Sequence, residues 1–329
     1  MTNINGYVFE KLNNDNSGFS KWGFAMKGGK EYFIKELLTP VYPLESSVMS
    51  AELFNSQRQH CFFYETRFKN YYTAINQASC GNLVRIVEFF RYDSRYYVVT
   101  EKIDTEKVTL ENIVSSSLAM KLLLLRSATH CFSCLHGAGI VHFDVKTANI
   151  LVKRTRNGRF AAKLIDFDAG YFKNEEREEQ ELGGDLTYLA PETFLGIMGQ
   201  DIVPDEKSDI FALGLVFHEY MCGNIPTFDT NEYEYPYEVA LDGGHMEIDK
   251  SQMPPELAEL IATMLRAEPG ERPSADDILR VLNSLIETGK AELPVIEETE
   301  KVIVPIEVDN TPKVELKKPD SWFSQAGDL

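Results

Sequence analysis

The sequence predicts an α+β chain built as two lobes, strand-rich over the first hundred residues and helical beyond them. Three observations carry this reading. Residues 19–103 break into short runs of β-branched and aromatic residues, FSKWGFAM, KEYFIKEL, LVRIVEFFRY and RYYVVTEKI, around one long helical pattern. From about residue 110 the apolar residues recur at three- and four-residue spacing instead. The chain has 329 residues, 43% of them apolar, which is long enough for two lobes.

The elements follow in order. Gly28–Gly29 joins the first two runs as a hairpin turn. Residues 46–77 read as a helix, with Tyr64, Phe68, Tyr71, Tyr72 and Ile75 on one stripe. Leu118, Leu122, Leu125, Thr129, Phe132 and Leu135 make one face of a second long helix that stops at His136–Gly137. A β-rich stretch at 149–165 carries the polar loop RTRNG. Helices occupy residues 208–287, and Ser274 before ADDILRVLNSL is an expected N-cap. After Gly289 the helical period is lost and Glu, Lys, Val and Pro dominate, so residues 289–329 read as an acidic tail.

Composition narrows the function classes. A net charge of −18 with no basic run argues against a nucleic-acid or anionic-membrane partner. The start MTNINGYVFEKLNNDN has neither the basic nor the apolar region of a signal peptide. The apolar helix around LAMKLLLLRSATHCFSCL is interrupted by Lys121, Arg126 and His130, and is expected to be too short and too charged to span a membrane. Five cysteines in a chain of this length fit a reducing cytoplasm. Cys131 and Cys134 form a lone CxxC inside a helical pattern, expected to be buried thiols and not a metal or redox pair.

The stretch HFDVKTANILV, residues 142–152, places an acid, a base and an amide in a D-x-K-x-x-N spacing: Asp144, Lys146 and Asn149. With the later Asp166–Phe167–Asp168, Ala190–Pro191–Glu192, Asp209 with Gly214, and Arg272 in PGERPS, this stretch resembles the protein kinases over about residues 7–288. The resemblance implies a two-lobe protein-kinase fold, with a β-rich N-lobe at 7–103 and a helical C-lobe at 104–288. It implies ATP as cofactor with Mg²⁺, or Mn²⁺ in its place. Asp144 would orient the substrate hydroxyl, and Lys146 would neutralise the transferred phosphoryl group. Asn149 and Asp166 would hold metal. Lys35 in YFIKEL would hold the α- and β-phosphates, paired with Glu65 on the following helix. Gly18 is the clearest position of a poor glycine-rich loop. Thr100 stands as gatekeeper, Glu101 and Ile103 would bond the adenine edge through the main chain, and Leu151 would form part of the floor. Glu192 would pair with Arg272, and Asp209 would fix the catalytic-loop backbone.

Three positions depart from the family pattern. Phe143 replaces the usual Arg, which implies activity without activation-segment phosphorylation. Asp168 stands where Gly is usual, and glycine allows backbone states that other residues resist. Asp185 occupies the place of a Thr and could pair with Lys146. The run EEREEQE at 175–181 reads as a solvated face or an acidic patch. Trp322 and Phe323, in 319–329, are candidates for docking on the lobes or on a regulatory partner. The expected function is a cytoplasmic serine/threonine protein kinase acting on protein substrates. A pseudokinase scaffold is the alternative, and a small-molecule kinase the less favoured one.

Overall fold

The computed structural model describes residues 1–13, 20–45, 47–103, 108–173 and 184–288. Gly18, the acidic run at 175–181 and the tail with Trp322 and Phe323 lie outside the described residues.

The first lobe is a six-stranded antiparallel sheet in the order β1-β2-β3-β4-β6-β5. Its strands are β1 (Thr2–Ile4), β2 (Tyr7–Phe9), β3 (Ser20–Lys27), β4 (Lys30–Leu37), β5 (Ile86–Tyr92) and β6 (Arg95–Glu101). The lobe therefore begins before residue 7, the expected boundary: β1 pairs with β2 in register Thr2↔Phe9. The β3–β4 hairpin turns on Gly28 and Gly29, whose φ values of 60° and 77° are those a type I′ turn demands and a side chain resists. Alternation sorts the sheet's residues to two faces. Ile34, Tyr97 and Val99 join Ile4, Tyr7 and Phe9 in a small outer cluster, while Tyr96 and Val98 face the main core.

Helix α1 (Ala51–Ala78) starts five residues later than expected and is 28 residues long. Ser50 caps it by accepting from the Leu53 amide. Phe68, Tyr71, Tyr72 and Ile75 are buried as the stripe predicts.

The second lobe is helical: α2 (Leu110–Val114), α3 (Leu118–Gly137), α4 (Pro191–Ile197), α5 (Glu206–Cys222), α6 (Pro236–Leu241), α7 (Pro255–Met264) and α8 (Ala275–Glu287). Short strands β7 (Ile140–Val141), β8 (Ile150–Arg154), β9 (Phe160–Leu164) and β10 (Tyr171–Phe172) form two ribbons, β7 with β10 and β8 with β9. Helix α3 ends where the sequence places it, with Leu122, Leu125, Thr129, Phe132 and Leu135 all fully buried. At 20 residues it is long and apolar enough to cross a bilayer, against expectation. What the composition missed is that the same apolarity serves the core, where α3 packs on α8, β9 and α5. Lys121, which interrupts its pattern, is buried and donates to the Met221 carbonyl at 3.1 Å. Ser274 caps α8 reciprocally with Asp277.

Candidate active site

The loop between β7 and β8 carries the acid, base and amide, and a buried carboxylate on α5 shapes it. Asp209 Oδ2 accepts from the His142 amide and Oδ1 from the Phe143 amide, both at 2.8 Å. His136 adds a third contact, Nε2 to Oδ2, at 3.0 Å. These bonds hold Phe143 at φ 70°, a left-handed state costing a non-glycine residue about 1 kcal/mol. The Phe143 ring packs edge-on to Tyr171 at 5.4 Å, so an apolar contact stands where the family pattern has a charge.

The three polar side chains meet. Lys146 Nζ donates to Asp144 Oδ1 at 2.9 Å, and Asn149 Nδ2 donates to Asp144 Oδ2 at 2.8 Å. The same amide nitrogen reaches the Asp144 carbonyl, also at 2.8 Å. Both carboxylate oxygens are thereby fixed, and Asn149 keeps its side-chain oxygen for another partner. Asp185 Oδ2 lies 3.9 Å from Lys146 Nζ, the pairing its position allowed. Tyr188, which the sequence reading passed over, places its hydroxyl 3.3 Å from Thr147 Oγ1 and donates to Glu219 at 2.6 Å. Burial pushes the Glu219 carboxyl up.

Across from this loop, Lys35 sits mid-strand, in register with Trp22 on β3 and Val98 on β6. Its ammonium donates to Asp166 Oδ1 at 2.7 Å and to Asp168 Oδ2 at 2.8 Å. Burial alone would push the Lys35 ammonium down, but the Asp166 and Asp168 charges outweigh it and hold its pKa above the ordinary value. An ammonium has three N–H donors, so one remains for a ligand oxygen.

The expected Lys35–Glu65 pair is not formed. Glu65 takes its bonds from Tyr96 at 3.1 Å and Lys69 at 3.3 Å, with Arg91 3.6 Å away. The reason lies in the phase of α1. Two turns further on, Tyr72 occupies the part of the helix near the two aspartates, and its phenol is pushed up by burial and then by the Asp168 charge. The residue before it is Tyr71, whose hydroxyl lies so close to Gly170 that a Cβ there would be 1.8 Å from it. Aromatic rings thus fill the space in which a helix carboxylate would have to reach Lys35.

Asp168 does not need glycine's backbone freedom. Among the described residues other than glycine, the positive φ values belong to Asn5, Asp93, Phe143 and Asp166. The left-handed residue of the triplet is Asp166, at φ 62°. Phe167 is buried and edge-on to His142 at 5.2 Å.

Of the expected nucleotide-edge residues, Glu101 ends β6; its amide donates to the Arg85 carbonyl at 3.1 Å, and its carbonyl accepts from the Thr100 hydroxyl at 3.4 Å and keeps one lone pair for a ligand. The Glu101 side chain is ion-paired with Lys163. Ile103 is half-buried against the main core, and Leu151 is buried on β8. The oxygen donors of Asp166 and Asn149 suit a hard divalent cation. The lysine, with its one remaining donor, suits a phosphate. Farther out, Arg272 forks onto Glu192 with bonds of 2.7 and 2.8 Å, as the motif spacing implied.

A strand-rich lobe bearing a lysine, set over a helical lobe bearing this loop, defines a protein-kinase type of domain. The family model of the protein kinase domain matches residues 48–282, more than half of the chain, and the chain belongs to that family. It is similar to serine/threonine-protein kinase Nek9 of Mus musculus, 34% identical over 163 residues, 49% of this chain and 15% of that protein. Two proteins of Saccharomyces cerevisiae also match. Serine/threonine-protein kinase KIC1 is 28% identical over 48% of this chain and 14% of its own length. Serine/threonine-protein kinase PSK2 is 27% identical over 62% of this chain and 18% of its own length. The chain spans under a fifth of each of these relatives.

Proposed function

We propose that the chain is an ATP-dependent serine/threonine protein kinase that transfers the γ-phosphate to Ser or Thr hydroxyls of protein substrates. The observation that carries this is Asp144, gripped at one oxygen by Lys146 and at the other by Asn149. A carboxylate fixed in this way orients an incoming hydroxyl and receives its proton. Bound ATP supplies the phosphoryl group, and Mg²⁺ or Mn²⁺ neutralises its charge. Asn149 and Asp166 would hold the metal. Lys35 would hold phosphate oxygens, and Lys146 would neutralise charge beside Asp144. Gly18, the Glu101 carbonyl, the Ile103 amide and Leu151 would line the nucleotide. Glu65 takes no part in this site, because its carboxylate is bound by Tyr96 and Lys69 and faces Arg91. The names of the relatives support the Ser/Thr class.

Phe143 supports activity without phosphorylation of the activation segment, because no Arg stands there for a phosphate to meet. A phosphatase-treated sample that lost all activity would overturn this part. The five unpaired cysteines support a reducing, cytoplasmic setting.

A second reading, a nucleotide-binding scaffold without transfer, is favoured by one observation: Lys35 is held by Asp168 and not by a helix glutamate. Labelled-phosphate transfer from ATP to a generic protein separates the two. Wild type should label serine or threonine, and Asp144→Asn and Lys35→Ala should lose the label by at least about 100-fold. Nucleotide binding without label in either metal would establish the scaffold.

A further inference from the structure

The chain holds a cluster of soft ligands outside the motifs above. Cys80 lies two residues past the end of α1, just after the cap Ser79. His130, Cys131 and Cys134 lie on α3. His130 and Cys134 are four apart, so they share one helix face. Sγ of Cys80, a ring nitrogen of His130 and Sγ of Cys134 all lie within 4.8 Å of one another. The Cys134 sulfur is 4.0 Å from His130 Nδ1.

We propose that Cys80, His130 and Cys134 form a three-ligand site for a borderline-soft divalent cation of the zinc class, fastening the end of α1 to α3. Donors about 2.3 Å (sulfur) and 2.0–2.1 Å (nitrogen) from a tetrahedral ion lie about 3.5–3.8 Å apart. The Cys134–His130 separation of 4.0 Å is already close to that, and side-chain shifts of about 1 Å bring the whole cluster to it. The lone CxxC of the sequence is thereby divided. Cys131 is fully buried, and its one S–H is shared between the Asn82 and Ser127 carbonyls, each 3.4 Å from the sulfur, as a structural thiol. Cys134 and Cys80 are only half-buried, and His130 is exposed, which gives an ion a way in and leaves the fourth position to water.

The surroundings favour a cation. Asp276, at the start of α8, adds negative charge beside Cys134. The sequence concealed the site because Cys80 is fifty residues from His130 and farther from Cys134, and only the fold brings it to them.

The test is titration of the full chain, reduced and metal-free, with Co²⁺ under anaerobic conditions. Wild type should take about one equivalent with thiolate-to-cobalt absorption in the near ultraviolet and the visible bands of a tetrahedral site, and Zn²⁺ should displace it. Cys80→Ser and Cys134→Ser should lose that absorption, while Cys222→Ser, outside the cluster, should keep it. Far-ultraviolet circular dichroism checks that the variants fold. Should either serine variant fail to fold, His130→Ala, at an exposed position, should weaken Zn²⁺ binding at least about tenfold. No thiolate-to-cobalt absorption in wild type, absorption that survives both serine variants, or a His130→Ala variant of wild-type affinity would each overturn the assignment.

Discussion

Replacing Arg272 by Met should destabilise the chain by about 3–5 kcal/mol, the cost of leaving one partner of a buried ion pair uncompensated. The geometry sets this figure. The Arg272 side chain has no exposed surface and Glu192 has 6%, so water cannot replace the lost partner. Arg272 also donates to the carbonyls of Arg266, Ala267 and Lys207 at 2.7, 2.8 and 2.9 Å, and its guanidinium stacks over Phe211 at 5.1 Å. Met replaces much of the volume and none of the donors. For a domain of this size each kcal/mol moves Tm by about 2–4 °C, so the expected fall is about 6–20 °C. Urea unfolding followed by tryptophan fluorescence and circular dichroism measures it. A cycle with Glu192→Leu separates charge from packing. The double variant should be more stable than the sum of the singles by more than about 1 kcal/mol, because the orphaned carboxylate is gone while the three carbonyls stay unpaired. A single-variant cost below about 1 kcal/mol, or strict additivity, would refute the claim that this pair's value lies in mutual neutralisation.

Asp168→Asn removes a carboxylate that competes with phosphate for Lys35, and nucleotide affinity, read by fluorescent-nucleotide titration, should tighten about two- to fivefold. Glu65→Gln should leave that affinity within about twofold, since no bond links it to Lys35; a tenfold loss would restore the helix glutamate to its expected role. Asp209→Ala orphans the His142 and Phe143 amides and should cost about 2–4 kcal/mol in unfolding experiments, with a loss of phosphate transfer in the part that stays folded. His218 should make stability pH-dependent. Burial pushes its pKa below the ordinary 6.5, and its Nε2 accepts the Asp249 amide at 3.1 Å, so the fold requires the neutral ring. Below about pH 6.5 the unfolded chain binds a proton that the folded chain refuses, so this contribution is complete above 6.5 and is lost as pH falls. The difference in unfolding free energy between wild type and His218→Gln should therefore shrink between pH 7.5 and 5.5.

What the sequence revealed and what it hid divide along physical lines. Asp144, Lys146 and Asn149 were legible because a loop of six residues fixes their separation by covalent geometry, and no distant packing can move them apart. The Arg272–Glu192 fork was legible by resemblance, since both ends sit in short motifs. The α3 face was legible because a 3.6-residue period maps directly onto burial. Glu65 was misjudged because its role depends on where a 28-residue helix lies along its own axis relative to β4. A one-turn error moves a side chain by about 5.4 Å, farther than a salt bridge reaches. No local signal fixes that phase; it is set by the Phe68, Tyr71 and Tyr72 rings packing against Phe89, Phe172 and the segment at Gly170.

The same packing explains why the unusual Asp168 and the absent helix glutamate belong together. A buried ammonium on β4 needs compensating charge whichever element supplies it. With aromatic residues on the near face of α1, a carboxylate from the helix cannot approach without displacing them. The residue two places after Asp166 lies on the segment that already meets Lys35, and an aspartate there supplies the second bond at 2.8 Å. Restoring glycine at 168 alone should therefore not recreate a Lys35–Glu65 pair. It should leave Lys35 with Asp166 as its one carboxylate, lower the lysine's pKa, and raise the rate at which an amine-directed acylating reagent labels it in the nucleotide-free protein. Faster labelling of Lys35 in Asp168→Gly than in wild type, with ATP protecting both, would support the exchange of partners. Equal labelling would mean that Asp168 does not hold the lysine in solution.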